Sequence, residues 1–408
     1  MRSLPAGSHP EPAIQAVWRI ESARIIGALV RMLKDLGQAE ELAQDALVAA
    51  LERWPKSGVP DNPGAWLMAT ARRRAIDQIR RGQRLAHKQK LLVPEPVPPP
   101  EFEEMGDDVL RLMFATCHPV LSTEARVSLT LRLLGGLTTA EIARAFLVPE
   151  PTVAQRIVRA KRTLVEARAS FDLPGPAERE GRLDSVLEVI YLIFNEGYSA
   201  TAGDDWVRPE LCDDAMRLGR ILAARVDHGE VQGLVALMEL QASRLRARTG
   251  PDGAAVRLLD QDRSRWDWLL IERGLATLDR IPGPYGPYAI QAALAACHAR
   301  ARVAADTDWP RMVALYDALF QLQPSPVIAL NRAVAVAMAF GPEAGLEALA
   351  PVMEAPALQR YHLLPATRAD FLWRLGRKDE ARRAFEHAAT LTQNAQEQRL
   401  LLSRAQQC

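Results

Sequence analysis

Five arginines and a tryptophan crowd one stretch of twenty residues, 62–81, NPGAWLMATARRRAIDQIRR: Trp66, Arg72, Arg73, Arg74, Arg80 and Arg81. Guanidinium groups present planar forks of N–H donors that match phosphate oxygens and guanine edges, and an indole among them can stack on an unpaired base. A second set, Glu150, Thr152, Gln155, Arg156, Arg159 and Arg162, mixes cations with side chains able to hydrogen-bond base edges. A third, Glu41, Asp45, Val48 and Glu52, is an acidic line that complements a basic partner. All three offer recognition and no bond making. Two further stretches place carboxylates beside Trp and Arg, 194–206 (FNEGY followed by Asp204-Asp205-Trp206) and 260–266 (DQDRSRW). Such groups can form an acid/base or metal site; here they are read as helix caps and ion-paired corners. No phosphate-cradling glycine loop, nucleophile motif or metal-ligand spacing accompanies them. No catalytic residue, cofactor or metal is expected.

The arginine stretch must be a helix. Asn62-Pro63-Gly64 is an entry signal, since Asn caps well and Pro suits a first turn whose N–H groups lack partners. At 3.6 residues per turn Met68, Ala71, Ala75 and Ile79 share one face, with Leu67 and Ile76 at its margins. The opposite face carries Trp66, Arg73, Asp77 and Arg80, and Arg84 if the helix passes Gly82. Helices at 13–36 and 39–54 precede it. The second sets Ala43, Ala46/Leu47, Ala50/Leu51 and Trp54 inward and the acidic line outward; 55–64 is a Pro/Gly loop. After Arg81 the chain is expected to turn at Gly82 into a basic tail and then a linker, with five prolines and six acidic residues in 94–108. That composition cannot bury a core. Residues 82–108 could span up to ~90 Å at ~3.3–3.6 Å each, so the flanking modules can reach separate places on one long ligand.

In 109–171 the run GLTTAEIARAFLVPEPTVAQRIVRAKRTL carries the sharpest motif. Thr138 and Glu141 form a capping box for a short helix; Leu147-Val148-Pro149 turns the chain; Pro151 opens a second helix. Its inward face is Val153, Ile157, Ala160 and Leu164, leaving Gln155, Arg156, Arg159 and Arg162 outside. Two short helices joined by a tight turn, the second polar and basic near its start, make a helix-turn-helix.

Charge divides along the chain. Residues 1–171 hold 24 Lys and Arg against 19 Asp and Glu, and the remainder holds 27 against 31. The front is basic and the rear mildly acidic, which implies different partners for each. The four cysteines are far apart, as in a cytosolic protein with reduced thiols, and Cys117-His118 is read as structural. No apolar run approaches a membrane span. The expectation is a cytoplasmic protein with no membrane partner.

Residues 13–170 resemble a bacterial RNA polymerase sigma factor of the extracytoplasmic-function class, reduced to regions two and four. The matching stretches are AEELAQDALVAALERW, NPGAWLMATARRRAIDQIRR and LTTAEIARAFLVPEPTVAQRIVRAKRTL, in that order. The resemblance implies that Glu41, Asp45, Val48 and Glu52 bind core RNA polymerase. It also implies that Trp66, Arg72, Arg73, Arg74, Arg80 and Arg81 recognise and help melt the minus-ten element. Glu150, Thr152, Gln155, Arg156, Arg159 and Arg162 would read the minus-thirty-five element of promoter DNA. One departure is Arg73, where many relatives carry Asn.

Residues 172–408 lie outside that minimal design. After a boundary at 173–176 they read as successive helices, 183–195, 209–225, 231–248, 264–280 and 288–304 among them. FGPEA at 340–344 and LGRKD at 375–379 lie 35 residues apart, and the latter with Ala381, Phe385 and Ala388 resembles half of a tetratricopeptide unit. The whole chain is similar to the sigma subgroup with a long C-terminal helical extension that regulates activity in cis. The expected fold is all-α: modules at 13–90 and 109–171, a Pro/acidic linker at 91–108, and a helical repeat domain at 177–408. The expected partners are core RNA polymerase, promoter DNA, and a protein or small-molecule regulator bound by the repeats. The alternative is a stand-alone helix-turn-helix regulator with a sensing repeat domain, which the arginine and acidic helices upstream argue against.

Overall fold

The computed structural model describes residues 11–89, 105–200, 202–203, 206–251 and 253–408. The chain divides into two compact units, Met1–Arg144 with Val148–Val189, and Ala145–Leu147 with Ile190–Cys408. Both are all-α apart from one two-residue strand pair among the described residues.

The first unit opens with α1 (Glu11–Leu33), α2 (Leu36–Ser57) and α3 (Pro63–Gln89). Asp35 caps α2 by accepting from the Gln38 N–H at 2.9 Å, and Asn62 caps α3 by accepting from the Ala65 N–H at 3.0 Å. Pro55 does not begin a loop: α2 carries it to Ser57, where Gly58 (φ 82°) ends the helix. Nor does the chain turn at Gly82, which α3 passes through. The proline-rich stretch 90–104 lies outside the described residues. Next come α4 (Met105–Thr116), α5 (Thr123–Leu133), α6 (Thr139–Phe146) and α7 (Glu150–Glu166). α4 starts inside the expected linker, and there Asp108 is buried with its carboxylate 3.5 Å from Arg31 of α1. At Gly27 a Cβ would lie 2.4 Å from the Asp108 carbonyl oxygen, so only glycine allows this approach of α1 to α4. The two modules are therefore packed together, where the sequence suggested beads on a long tether.

The capping box forms as expected, the Thr138 N–H donating to Glu141 Oε2 at 2.7 Å and the Glu141 N–H to Thr138 Oγ1 at 3.1 Å. Leu147 turns the chain at φ 49°. Then α8 (Pro176–Tyr198) begins at the expected boundary, and its first half belongs to this unit. Buried Arg182 donates to the Phe114 carbonyl at 2.5 Å and lies over that ring; Ser185 donates to the Cys117 carbonyl at 2.6 Å. Arg126 of α5 donates to Ser185 at 2.6 Å and pairs with Glu188 at 3.0 Å. Burial pushes the Cys117 thiol up to about 11, which leaves it an unreactive packing residue.

In the second unit α9 (Pro209–Ala223), α10 (Gly229–Ala242), α11 (Trp268–Leu278) and α12 (Pro287–Arg300) surround a core of Leu237, Leu240, Trp266, Ile271 and alanines of α12. The helix expected at 231–248 breaks after Ala242 into a short turn, Leu245–Ala247. That expected at 264–280 starts only at Trp268, because Asp262 and Asp267 each cap a separate start, 2.9 Å from the Ser264 N–H and 3.1 Å from the Leu270 N–H. α13 (Trp309–Leu322), α14 (Pro326–Phe340), α15 (Pro342–Leu349), α16 (Leu363–Arg374), α17 (Lys378–Leu391) and α18 (Ala395–Gln406) follow. The two similar motifs are the turns of two helical hairpins, α14/α15 and α16/α17, and each turn uses a glycine at positive φ, Gly341 at 104° and Gly376 at 76°. The strand pair, Ala202–Gly203 with Gln393–Asn394, is pinned by buried Asn394, whose side-chain amide donates to the Ala200 carbonyl at 3.1 Å. No helix is long and apolar enough to cross a membrane among the described residues.

Candidate nucleic-acid interface

On α3 the apolar stripe is buried at Leu67, Met68, Ala71 and Ala75. Arg73, Asp77, Arg80 and Arg81 are exposed, and Arg72 and Arg74 are half-buried. Trp66 does not stand free beside the arginines. Its ring meets buried Trp54 edge-on at 5.4 Å, because α2 crosses α3 there, and it is half-buried. Arg74 is also engaged, Nη1 lying 2.6 Å from Asp45 Oδ2. The open cationic row is thus Arg73, Arg80 and Arg81.

α7 buries Val153, Ile157, Ala160 and Leu164, the face read from periodicity. Thr152, Gln155, Arg159 and Arg162 are exposed and Arg156 is half-buried. Glu150 accepts from the Thr139 hydroxyl at 2.9 Å, tying the start of α6 to the start of α7. Arg162 pairs with Glu166 at 3.3 Å, both well exposed, a contact worth a few tenths of a kcal/mol and easily traded for DNA.

On α2, Glu41, Val48 and Glu52 are exposed, whereas Asp45 is half-buried beside Arg74. Leu47 and Leu51 were expected inside. The inner face is instead Leu42, Ala43, Ala46, Ala49, Ala50 and Trp54, which leaves Leu47 half-buried and Leu51 exposed. Leu47, Val48 and Leu51 line a cavity of about 620 Å³ with Trp18 and Arg19 of α1 and Arg132, Thr138 and Glu141 of the second module.

Sequence reasoning missed Glu40. It is buried, and its carboxylate accepts from Arg132 at 2.8 Å and pairs with Lys161 of α7. Arg19 with Glu141 at 3.1 Å adds a further tie between the modules, and Lys34 pairs at 2.5 Å with Asp172, just after the second module. The one available signal was Arg132, the sole charge in the apolar run 127–134. Among the described residues no group of three or more His, Cys, Asp or Glu side chains could hold a metal ion.

Residues 19–85 match the model for Sigma-70 region 2, and residues 111–164 that for Sigma-70 region 4. An ECF RNA polymerase sigma factor SigK of Mycolicibacterium vanbaalenii is 30% identical over 153 residues, which cover 36% of this chain and 76% of the relative. The chain belongs to the ECF RNA polymerase sigma factor family. A SigK of Mycobacterium tuberculosis is 27% identical over 165 residues, 38% of this chain and 86% of the relative. These matches leave the greater part of this sigma factor uncovered. An uncharacterized protein of Rhizobium meliloti is similar throughout, 43% identical over 387 residues, 91% of this chain and 90% of its own. Residues 182–281 match a family of unknown function, DUF6596. No solved structure matches the chain.

Proposed function

We propose that this sigma factor binds core RNA polymerase through Glu41, Asp45, Val48 and Glu52, and directs transcription initiation by reading promoter DNA with two faces. The open row of Arg73, Arg80 and Arg81 serves the minus-ten element, with Arg72, Arg74 and Trp66 behind it. Glu150, Thr152, Gln155, Arg156, Arg159 and Arg162 serve the minus-thirty-five element. The observation that carries this reading is the presence of two separate exposed basic faces beside an acidic, partly apolar one. A regulator that reads a single operator needs one such face.

Geometry adds a step. Elements centred at minus ten and minus thirty-five lie ~25 base pairs apart, roughly 85 Å at ~3.4 Å per pair. A compact unit the length of the first is roughly 40 Å across. Reading both elements at once requires the contact of α1 with α4 and the Glu40 cluster to part.

Residues 172–408 act in cis on this activity. The packing of α8 on α4 and α5 through Arg182, Ser185 and Glu188 supports bracing of the second module by the start of the extension. Run-off transcription with core polymerase tests the whole reading, using the full chain and chains ending at Phe171 and at Val189. Full-length activity above core alone is expected, with loss in the chain ending at Phe171 and more activity in the chain ending at Val189, which keeps Arg182, Ser185 and Glu188. Raised activity in the Phe171 chain would mean inhibition by the extension, and unchanged activity in it would mean a docking platform.

A further inference from the structure

The two odd stretches of the extension meet in the second unit. Arg248 lies over the ring of Tyr198 at 4.0 Å and that of Trp206 at 5.2 Å. Arg244 lies between Tyr198 at 5.7 Å and Trp266 at 6.0 Å, and Arg263 stacks on Trp266 at 4.7 Å. Arg244 and Arg263 are buried. Stacking uses the faces of a guanidinium and leaves its N–H edges aimed for in-plane donation. Arg263 directs Nη1 to the carbonyls of His298 and Ala301, at 2.7 and 2.5 Å. Arg244 Nε, Arg248 Nε and Arg263 Nη2, all buried, have no hydrogen-bond partner, and the same holds for the indole nitrogens of Trp206 and Trp266.

Among the described residues none of these three guanidinium groups forms an ion pair. The same unit neutralises its buried carboxylates: Glu196 pairs with Arg208, and Glu239 with Arg220 at 2.8 Å and Arg273 at 3.0 Å. A cation held away from water without a counter-charge is strongly unfavourable, and burial lowers the pKa of Arg244 and of Arg263, at Arg263 partly offset by the charge of Asp306. Arg248 is half-buried and within electrostatic reach of Glu397. Three neighbouring guanidinium groups, two of them buried, with unused N–H donors are an arrangement that a planar or tetrahedral oxyanion satisfies.

We propose that Arg244, Arg248 and Arg263 form an oxyanion site that takes the carboxylate or phosphate group of a small ligand. All three, with their aromatic supports, lie inside the segment 182–281 that matches a family of unknown function. Their depth excludes a duplex backbone as the occupant. Trp206, which Arg248 overlies, also walls a cavity of about 310 Å³ with Leu258, Leu363 and Phe385; the three arginines themselves do not line it. The site deepens the reading of the extension as a regulatory element, but its binding test does not depend on transcription, so either can fail alone.

The test is isothermal titration of the full chain with inorganic phosphate and with malonate, at constant ionic strength in chloride. Saturable binding of one equivalent of either is expected, and the preferred anion distinguishes a phosphate from a carboxylate ligand. Arg248→Gln should weaken it about tenfold or more through loss of a charge-assisted pair. Should Arg248→Gln lose helicity, Arg248→Lys keeps the charge but not the planar fork and should also weaken binding. Saturable binding that Arg73→Ala/Arg80→Ala removes would place the anion on the DNA-reading face and overturn the proposal, and Trp206→Phe should reduce any anion-induced change in tryptophan emission. No saturable binding, or binding that Arg248 substitutions leave unchanged, would overturn the proposal. So would binding seen only in an Asp204→Asn/Asp205→Asn variant, which would assign the counter-charge to the chain itself; those two residues lie outside the described ones.

Discussion

Arg74 reaches from α3 to Asp45 on α2, Nη1 to Oδ2 at 2.6 Å, so the proposed DNA-reading helix and the proposed polymerase-docking helix share an ion pair. Both side chains are partly exposed, which limits the pair to about 0–1 kcal/mol of stability. Its consequence is for mutagenesis. Asp45→Lys sets a like charge beside Arg74 and should impair both polymerase binding and promoter opening.

Glu41 and Glu52 are the cleaner probes of docking, being exposed. A Glu41→Lys/Glu52→Lys variant should bind core polymerase about tenfold more weakly, mostly through slower association, with the difference shrinking at high salt. Surface plasmon resonance against core enzyme at two ionic strengths measures this. Wild-type association rates at low salt would mean that the acidic line is merely solvated.

The two DNA faces should fail in different ways. Where Gln155, Arg156 or Arg159 contacts a base edge, alanine should cost about 1–3 kcal/mol and relax sequence preference at one position; where it contacts phosphate, all sequences should weaken alike. Arg73→Ala and Arg80→Ala should leave upstream binding intact and reduce permanganate-detected melting. If melting is undiminished in both, the row on α3 has no part in opening.

What the sequence disclosed and withheld follows from the range of its signals. Periodicity within one helix identified Val153, Ile157, Ala160 and Leu164, and the three-residue spacing of Thr138 and Glu141 identified their mutual caps. Neither signal extends across the chain. Glu40 lies 92 residues from Arg132 and 121 from Lys161, so nothing local marks it as buried. Trp66 falls on the arginine face by helical count, and only the crossing of α2 turns it against Trp54. The convergence of Tyr198 and Trp206 with Arg244, Arg248 and Trp266 was likewise invisible, although both outer stretches stood out by composition.

Glu40 tests whether the packed modules are held by this cluster. Removing one member of a buried ion pair costs about 3–5 kcal/mol, and because Arg132 and Lys161 keep partial exposure we expect about 1–3 kcal/mol for Glu40→Gln. The variant should melt earlier, and small-angle scattering of the full chain should show a larger radius of gyration. An unchanged radius together with an unchanged midpoint would place the closure elsewhere.

His298 gives the second unit a pH dependence of defined sign. Its ring is buried, edge-on to Trp309 at 5.3 Å. Burial first, then the charges of Arg244 and Arg263, lower its pKa to about 3. In the unfolded chain the same group titrates near ~6.5. Above about pH 6.5 the ring is neutral in both states, and its effect on stability does not vary. As pH falls below about 6.5 the unfolded chain binds a proton that the folded unit excludes, so stability declines by up to about 1.4 kcal/mol per pH unit toward pH 3. His298→Phe keeps an aromatic ring at this position and cannot titrate. Urea midpoints compared between pH 7.5 and 5 should therefore fall further for the wild type than for His298→Phe. His118 in the first unit also has a pKa lowered by burial and by Arg182, but it is common to both proteins and cancels in the difference. Equal falls in the two proteins would show that His298 is protonated in the folded unit at pH 5, and hence that its surroundings hold more compensating negative charge than its described neighbours supply.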